Sequence, residues 1–369
     1  MSAVIVSIMC FFAVLGAIDK IRGNKLGLGE KFEQGFMAMG NMAFAILGIY
    51  TLSPVIASLV LNIVGPVFEA IRLDPSIISG ILLAPDMGGY SAASMMAKNT
   101  NLANYSGIIL ASTIGTTISF TIPMGSGIVK KEDYVYFSKG LLIGITTIPI
   151  GAVIGGILCG LTVSEVLLNI IPIILIAMLL TIGIKKYPDK TIKAFKKFSS
   201  VIQTIGVIGL IVGIIEMNFN IKLLPGMYSL NEGIEIVCSI SVILAGAYPM
   251  IHTVTKYLGQ PLKVLGSKIG IGEVAVAGLI SSLANNIPAF GMLDKMDERG
   301  KIVNSAFAVS GAFLFGGQLA FTTGVDKNLI TAFMISKIIA ATTAIIVACI
   351  STRKEKGFSG NMKVTNMEF

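Results

Sequence analysis

The chain has 369 residues, 54% hydrophobic and only 13% charged, well below the roughly 25% charged content of a soluble domain. With a mean hydropathy of +0.84, this composition excludes an ordinary soluble protein and makes lipid the solvent. The net charge of +8 sits in basic clusters between apolar stretches, as in cytoplasmic loops. No aromatic-basic motif accompanies it, so no nucleic-acid partner is expected.

Apolar stretches of roughly 17–25 residues can cross a hydrocarbon core. The first, about 2–18, has no positive segment ahead of it and reads as a retained helix, not a signal peptide. Further full spans are expected at about 36–64, with Pro54 inside, and at 104–127, 140–162, 164–184, 200–216, 234–256, 302–324 and 329–350. Segments 67–99 and 262–296 differ: each is an apolar run interrupted near its middle by a polar, Gly/Pro-containing tip. Neither half can cross alone, and irregular backbone at membrane depth survives only where protein or a water-filled cavity shields it. The expected fold class is an all-α polytopic membrane protein with about nine full transmembrane helices and two re-entrant or broken units.

Those two units belong to a duplication. Pro54 and Pro66 stand twelve residues apart, as do Pro249 and Pro261. The first pair precedes Ala84-Pro85-Asp86-Met87-Gly88-Gly89-Tyr90, and the second precedes Leu283-Ala284-Asn285-Asn286-Ile287-Pro288-Ala289-Phe290. A repeated unit with a broken segment in each half points to a transporter's binding site. The expected division is a first repeat over 1–163, a linker helix and basic loop over 164–198, a second repeat over 199–351, and a short polar cytoplasmic tail over 352–369. If both broken units re-enter, the clusters Lys20–Lys31, Lys130–Lys139, Lys185–Lys197, Lys256–Lys268 and Lys295–Lys301 all fall on one side. The positive-inside rule then places the N-terminus outside and the C-terminus in the cytoplasm. The span 164–184 inverts the second copy, which sets the two tips face to face near the midplane.

Small-residue stripes, Gly140/Gly144, Gly151/Gly155, Gly156/Gly160 and Gly209/Gly213, permit close helix approach. They suit packing within the chain, with a homodimer seam as the sharper reading. Cys10, Cys159, Cys238 and Cys349 are isolated, and His252 is the single histidine. This pattern suggests neither a metal site nor a disulfide framework, and no cofactor is expected. Gly27-Leu28-Gly29-Glu30 and Gly270-Ile271-Gly272-Glu273 lack the third glycine of a dinucleotide fingerprint, and no Walker-type loop exists.

Asp86 leads the candidate residues. A charge at membrane depth costs about 2.5–3.5 kcal/mol on insertion scales; a carboxylate at a helix break can pair with an organic ammonium or cap the following half-helix. Gly88 and Gly89 allow positive φ and close approach of backbone to a ligand. Tyr90 offers a ring face to a cation and a hydroxyl to an alcohol. Asn285 and Asn286 occupy the second tip and suit a hydroxyl or neutral amine, while Phe290 matches Tyr90. Gln318 and Thr322, with Thr323, stripe the span 302–324; Thr116, Thr117, Ser119 and Thr121 stripe its partner, lining a path or gluing helices. Pro54, Pro85, Pro249 and Pro288 are the kink or hinge positions, together with Gly88 and Gly89. Lys337, inside the last span, pairs with an internal acid or snorkels.

At the two tip strings, and in length and span pattern across most of the chain, the sequence resembles the bacterial ethanolamine utilisation membrane protein family of the EutH type. The resemblance implies an inner-membrane permease or facilitator for ethanolamine that feeds a cobalamin-dependent ammonia-lyase pathway. Ethanolamine near neutral pH is a small cation with one hydroxyl, which a lone carboxylate, a tyrosine and paired amides would suit. The expected partners are therefore this small molecule and the lipid bilayer, and the expected activity is alternating-access carriage, not enzymatic turnover. The alternative is a channel-like pore for a small neutral solute such as the free amine or ammonia.

Overall fold

A computed structural model describes residues 2–353; the polar tail expected over 352–369 lies almost wholly outside the described residues. Among the described residues the secondary structure is helical, with no strand. In chain order the helices are α1 (Ser2–Ile21), α2 (Leu28–Ala70), α3 (Ser76–Leu82), α4 (Gly89–Met96), α5 (Thr100–Ile128), α6 (Tyr134–Leu158), α7 (Val163–Lys186), α8 (Pro188–Phe219), α9 (Leu230–Ile269), α10 (Glu273–Ser282), α11 (Asn286–Gly291), α12 (Glu298–Ser310), α13 (Gly317–Val325) and α14 (Ile330–Arg353). Eight are long and apolar enough to cross a membrane: α1, α2, α5, α6, α7, α8, α9 and α14. Large apolar side chains such as Phe11, Leu175, Leu179, Ile211 and Val242 lie exposed along them, as expected where the outer solvent is lipid.

One expectation is corrected. The span 302–324 is not a single helix; it is interrupted between Ser310 and Gly317, where Phe313 takes a left-handed φ of 61°. The freed backbone is satisfied by another broken segment, because the Phe313 and Phe315 amides donate to the Ser282 and Leu283 carbonyls, each at 2.9 Å. Hydropathy missed the break because Gly311, Gly316 and Gly317 interrupt a helix without adding polarity. The corresponding span α5 is continuous but π-helical over Tyr105–Gly115 and Thr117–Thr121, a wide register that tends to mark functional sites. Most of its polar stripe bonds its own backbone: Thr117 to the Thr113 carbonyl and Ser119 to that of Gly115, both at 2.8 Å.

The hydrogen bond that Pro54 takes out of α2 is locally compensated. Pro54 has no N–H for the Tyr50 carbonyl, and Ser53 Oγ donates to that carbonyl instead, at 2.7 Å. α9 carries Pro249 and Pro261 in the same way as α2 carries Pro54 and Pro66.

Both broken units are hairpins whose ends are clasped by an aspartate. Asp74, before α3, accepts from the Ser76 amide at 3.0 Å and, after α4, from the Lys98 amide at 3.0 Å. Asp297, after the second unit, accepts from the Gly272 amide at 2.7 Å, before α10, and from the Gly300 amide at 2.9 Å. The two bases lie at opposite ends of α6. The Asp74 amide donates to Asn169 Oδ1, beyond the C-terminus of α6, at 3.0 Å. The second base is tied to the N-terminal end of α6 by the Lys130–Asp294 ion pair at 2.7 Å and the part-buried Lys301–Asp133 pair.

The helices form two groups. α1, α2, α8 and α9 pack on one another; the hairpins, α5, α6, α12 and α14 form the other, with α13 between them, packed on α9 as well as on α14 and the first tip, and with α7 against α6 and α8. The glycine stripes work inside this chain. A Cβ on Gly140 or Gly144 would meet α12, one on Gly151 would meet α14, and one on Gly209 would lie 2.1 Å from the Gly48 carbonyl of α2. The element order of residues 2–158, two long helices, a hairpin and two further membrane segments, recurs over 188–353.

Candidate functional site

The hairpin tips meet between the two helix groups. After α3, Leu83 and Ala84 are extended, Pro85–Met87 form a 3₁₀ turn, and Gly88 closes it at φ 85°. Only a residue without Cβ fits there, since a Cβ on Gly88 would stand 2.3 Å from Ile49 Cγ2. Gly89 opens α4, and its amide returns to the Ala84 carbonyl at 3.0 Å. This turn holds Asp86 against α2 and α13. A Cβ built on Gly317, the first residue of α13, would lie 4.0 Å from Asp86 Oδ2, so the carboxylate stands at the electropositive end of a helix that carries no side-chain cap.

Two cavities share Asp86, Met87 and Phe120. One, of about 400 Å³, is lined by both tips (Ala84, Asp86, Met87; Ala284, Asn285, Ile287), by Met42 of α2 and Tyr248 of α9, and by Thr116, Phe313, Gly317 and Gln318. The other, of about 630 Å³, runs from Asp86 along α5 and α8 past Ser119 and Gln203 to Gly127, Ile128 and Ser199. That end of the bundle holds Lys196, whose ammonium donates to the Ser126 carbonyl at 3.2 Å.

Not all the candidate residues line these cavities. Asp86, Asn285 and Gln318 do. Asn285 also caps α11, its Oδ1 accepting from the Ile287 amide at 2.9 Å. Tyr90 turns toward α5, its hydroxyl 3.4 Å from Asn104 Oδ1 and its ring edge-on to Phe321 at 6.3 Å. Asn286 is fully buried and donates to the Ala308 carbonyl at 3.0 Å, pinning the second tip to α12. Phe290 packs edge-on against Phe137 at 5.5 Å in the core. Thr322 bonds its own helix through the Gln318 carbonyl at 2.8 Å. Gly88, Gly89 and Pro85 shape the first tip, Pro288 lies inside α11, and Pro54 and Pro249 lie in α2 and α9.

A polar chain leads from the cavity into the second group of helices. Gln318 Nε2 donates to Thr116 Oγ1 at 2.6 Å, Thr116 Oγ1 donates to the Ala111 carbonyl at 2.8 Å, and Gln318 Oε1 accepts from Lys337 Nζ at 2.7 Å. The Lys337 ammonium also donates to the Ser112 carbonyl at 2.7 Å and lies 5.4 Å from the centre of the Phe333 ring. Lys337 is not among the residues expected to bind substrate; its sequence signal is a full charge in mid-span, the same signal that singles out Asp86.

These features define a multi-pass α-helical membrane protein with an internal carboxylate-bearing cavity where broken helices meet, an arrangement found in solute transporters. The family described as "Ethanolamine utilisation protein, EutH" matches residues 1–351, and the chain belongs to that family. It is 44% identical over 344 residues to the "Probable ethanolamine permease EutH" of Listeria monocytogenes serotype 1/2a (strain 10403S), covering 93% of this chain and 92% of that one. It is 41% identical over 340 residues to the "Uncharacterized protein YxeR" of Bacillus subtilis (strain 168), covering 92% of each. The "Probable ethanolamine permease EutH" of Escherichia coli (strain K12) is 36% identical over 390 residues, covering 95% of this chain and 96% of that one. No solved structure matches the chain.

Proposed function

We propose that this protein is a permease that carries ethanolamine, as its ammonium form, across the bacterial cell membrane. The observation that carries this reading is the position of Asp86, on the turn that both cavities share. A carboxylate inside a membrane protein needs a cation to offset its desolvation, and a cavity of about 400 Å³ admits a solute of four heavy atoms with water to spare. In this reading Asp86 holds the ammonium, Asn285 and Gln318 meet the hydroxyl, and Met42, Phe120 and Tyr248 enclose the methylenes. Tyr90, Asn286, Phe290 and Thr322 act behind the lining, fixing the tips and α13.

The halves 1–163 and 199–351 are inverted repeats in this account, with 164–198 as the linker. The hairpin bases at opposite ends of α6 and the recurring element order support this. The basic end of the bundle is cytoplasmic, the N-terminus is outside, and the larger cavity opens inward. Sliding or rocking of α1, α2, α8 and α9 against the hairpin-bearing group then exposes Asp86 to each side in turn, with Gly88, Gly89, Pro54 and Pro249 as hinge or kink positions.

The test is uptake of labelled ethanolamine by proteoliposomes. The expected result is saturable uptake that responds to substrate on the far side and falls about tenfold or more in Asp86→Asn, from loss of a charge-assisted contact. Wild-type uptake by that variant would overturn the role of Asp86. Flux that neither saturates nor responds to trans substrate would instead identify a pore for the neutral amine.

A further inference from the structure

Lys337 lies on α14 and is 1% exposed. Its hydrogen-bond partners are neutral, the Ser112 carbonyl and Gln318 Oε1, both at 2.7 Å. Two acceptors are as many as a neutral amine can serve with its two N–H groups, whereas an ammonium has three donors. The Phe333 ring face, 5.4 Å from Nζ, suits the added charge. The site therefore accommodates both protonation states without leaving a stranded donor.

The surrounding elements bring little else that is charged. α6 meets α14 beside Lys337 through Gly151 and Gly155, against Ser336 and Ala340; its Tyr134, Tyr136 and Lys139 lie in its first two turns, beside Asp133. On α12, Glu298, Arg299 and Lys301 lie in the first turn, and Arg299 meets α14 at the Cys349 carbonyl, roughly 18 Å along the helix from Lys337. Tyr105 of α5 lies against Gly156, near Cys159. α13 has no titratable side chain, and Asp326 follows its last residue. Asp86 is the acidic side chain on this side of the cavity: a Cβ on Gly317 would lie 4.0 Å from its Oδ2, and the next residue, Gln318, accepts from Lys337 Nζ at 2.7 Å.

We infer that Lys337 is a proton-exchange site: its ammonium is a tethered cation that balances Asp86 in the empty protein and loses its proton when a cationic substrate settles beside Asp86. This rests on the ethanolamine reading above. With substrate bound, one carboxylate would face two cations in a region of low dielectric, where like charges repel far more strongly than in water. Breaking one N–H bond on Lys337 restores the balance; the electron pair stays on Nζ, and the proton passes to solvent in the cavity that Gln318 lines. Carriage of one ethanolammonium is thereby coupled to one proton moving the other way.

The experiment is calorimetric titration of the purified protein with ethanolamine near pH 7, in buffers of different ionisation enthalpy. The expected result is release of about one proton per ethanolamine bound by wild type, and none by Lys337→Met, which still binds. Binding by wild type without proton release overturns the inference while leaving the substrate reading intact, and so does undiminished release by Lys337→Met. If Lys337→Met does not fold, Lys337→Arg keeps the charge and the hydrogen bonds but cannot deprotonate. It is expected to bind at least about tenfold more weakly, the penalty of a retained like charge at about 1.4 kcal/mol per decade, without releasing a proton; wild-type affinity there refutes the exchange. Absence of any ethanolamine binding by wild type removes the substrate reading and the inference together.

Discussion

Gln318 Oε1 stands 2.7 Å from Lys337 Nζ, while the nitrogen of the same amide stands 2.6 Å from Thr116 Oγ1. One side chain thus joins a buried cation on α14 to the π-helical α5 and to the cavity wall. Gln318→Leu removes an acceptor from a buried ammonium and a partner from Thr116. The expected loss is about 1.5–3 kcal/mol, read as a lower melting temperature in detergent. In a double-mutant cycle with Lys337→Met the two losses should not add, because most of the first is the stranded ammonium; full additivity would show that the contact is energetically empty.

Gly88 is conformationally committed. Its φ of 85° costs a residue with a Cβ about 1–2 kcal/mol, and the Cβ would also press on Ile49. Gly88→Ala should lower the melting temperature and depress ethanolamine uptake, since Asp86 shares the turn. Adding Ile49→Ala should recover the steric share of the stability but not the dihedral share.

The contact between α2 and α8 is backbone against backbone. A Cβ on Gly209 would lie 2.1 Å from the Gly48 carbonyl, and one on Gly48 would lie 1.7 Å from that of Gly206. No rotamer relieves such a clash, so Gly209→Ala should cost about 3 kcal/mol, the upper end of ordinary overpacking, and reduce the folded yield. Gly40→Ala, in the same α2 but with nothing within 4 Å, should be neutral or stabilise by about 0.5–1 kcal/mol through helix propensity. The contrast is measured by size-exclusion profiles of the two variants.

The Lys130–Asp294 pair sets a pH dependence. The hydrogen bond from Lys130 holds the Asp294 carboxyl below the usual carboxylate range, and the same bond raises the Lys130 ammonium. The Asp294 contribution is present above its unfolded pKa and disappears as pH falls through the lowered folded value. The Lys130 contribution is present below its unfolded pKa and disappears as pH rises through the raised folded value. The melting-temperature difference between wild type and Asp294→Asn should therefore be level near neutrality, begin to shrink below about pH 4 and vanish only once the pH has passed the lowered folded value. Salt should shrink it too, because the pair is partly exposed.

Composition and hydropathy established the polytopic helical class, because lipid imposes its demand on every span independently. The two interrupted tips and Asp86 were legible for the same reason: proline, glycine and a charge stand out in apolar sequence. The tertiary structure alone decided which polar groups face the cavity. Asn286 carries the same amide as Asn285 and Gln318, and Tyr90 a hydroxyl that could serve a ligand as well, yet Ala308 and Asn104 hold them away from it. It also decided that 302–324 is a broken helix, since glycines interrupt a span without making it less apolar, and what rewards that break is the Ser282 and Leu283 carbonyls of a distant segment. Lys337 was visible as an anomaly, but its partners lie 225 and 19 residues away along the chain. Local pattern reports the cost of burying a charge; only packing brings together the groups that offset it.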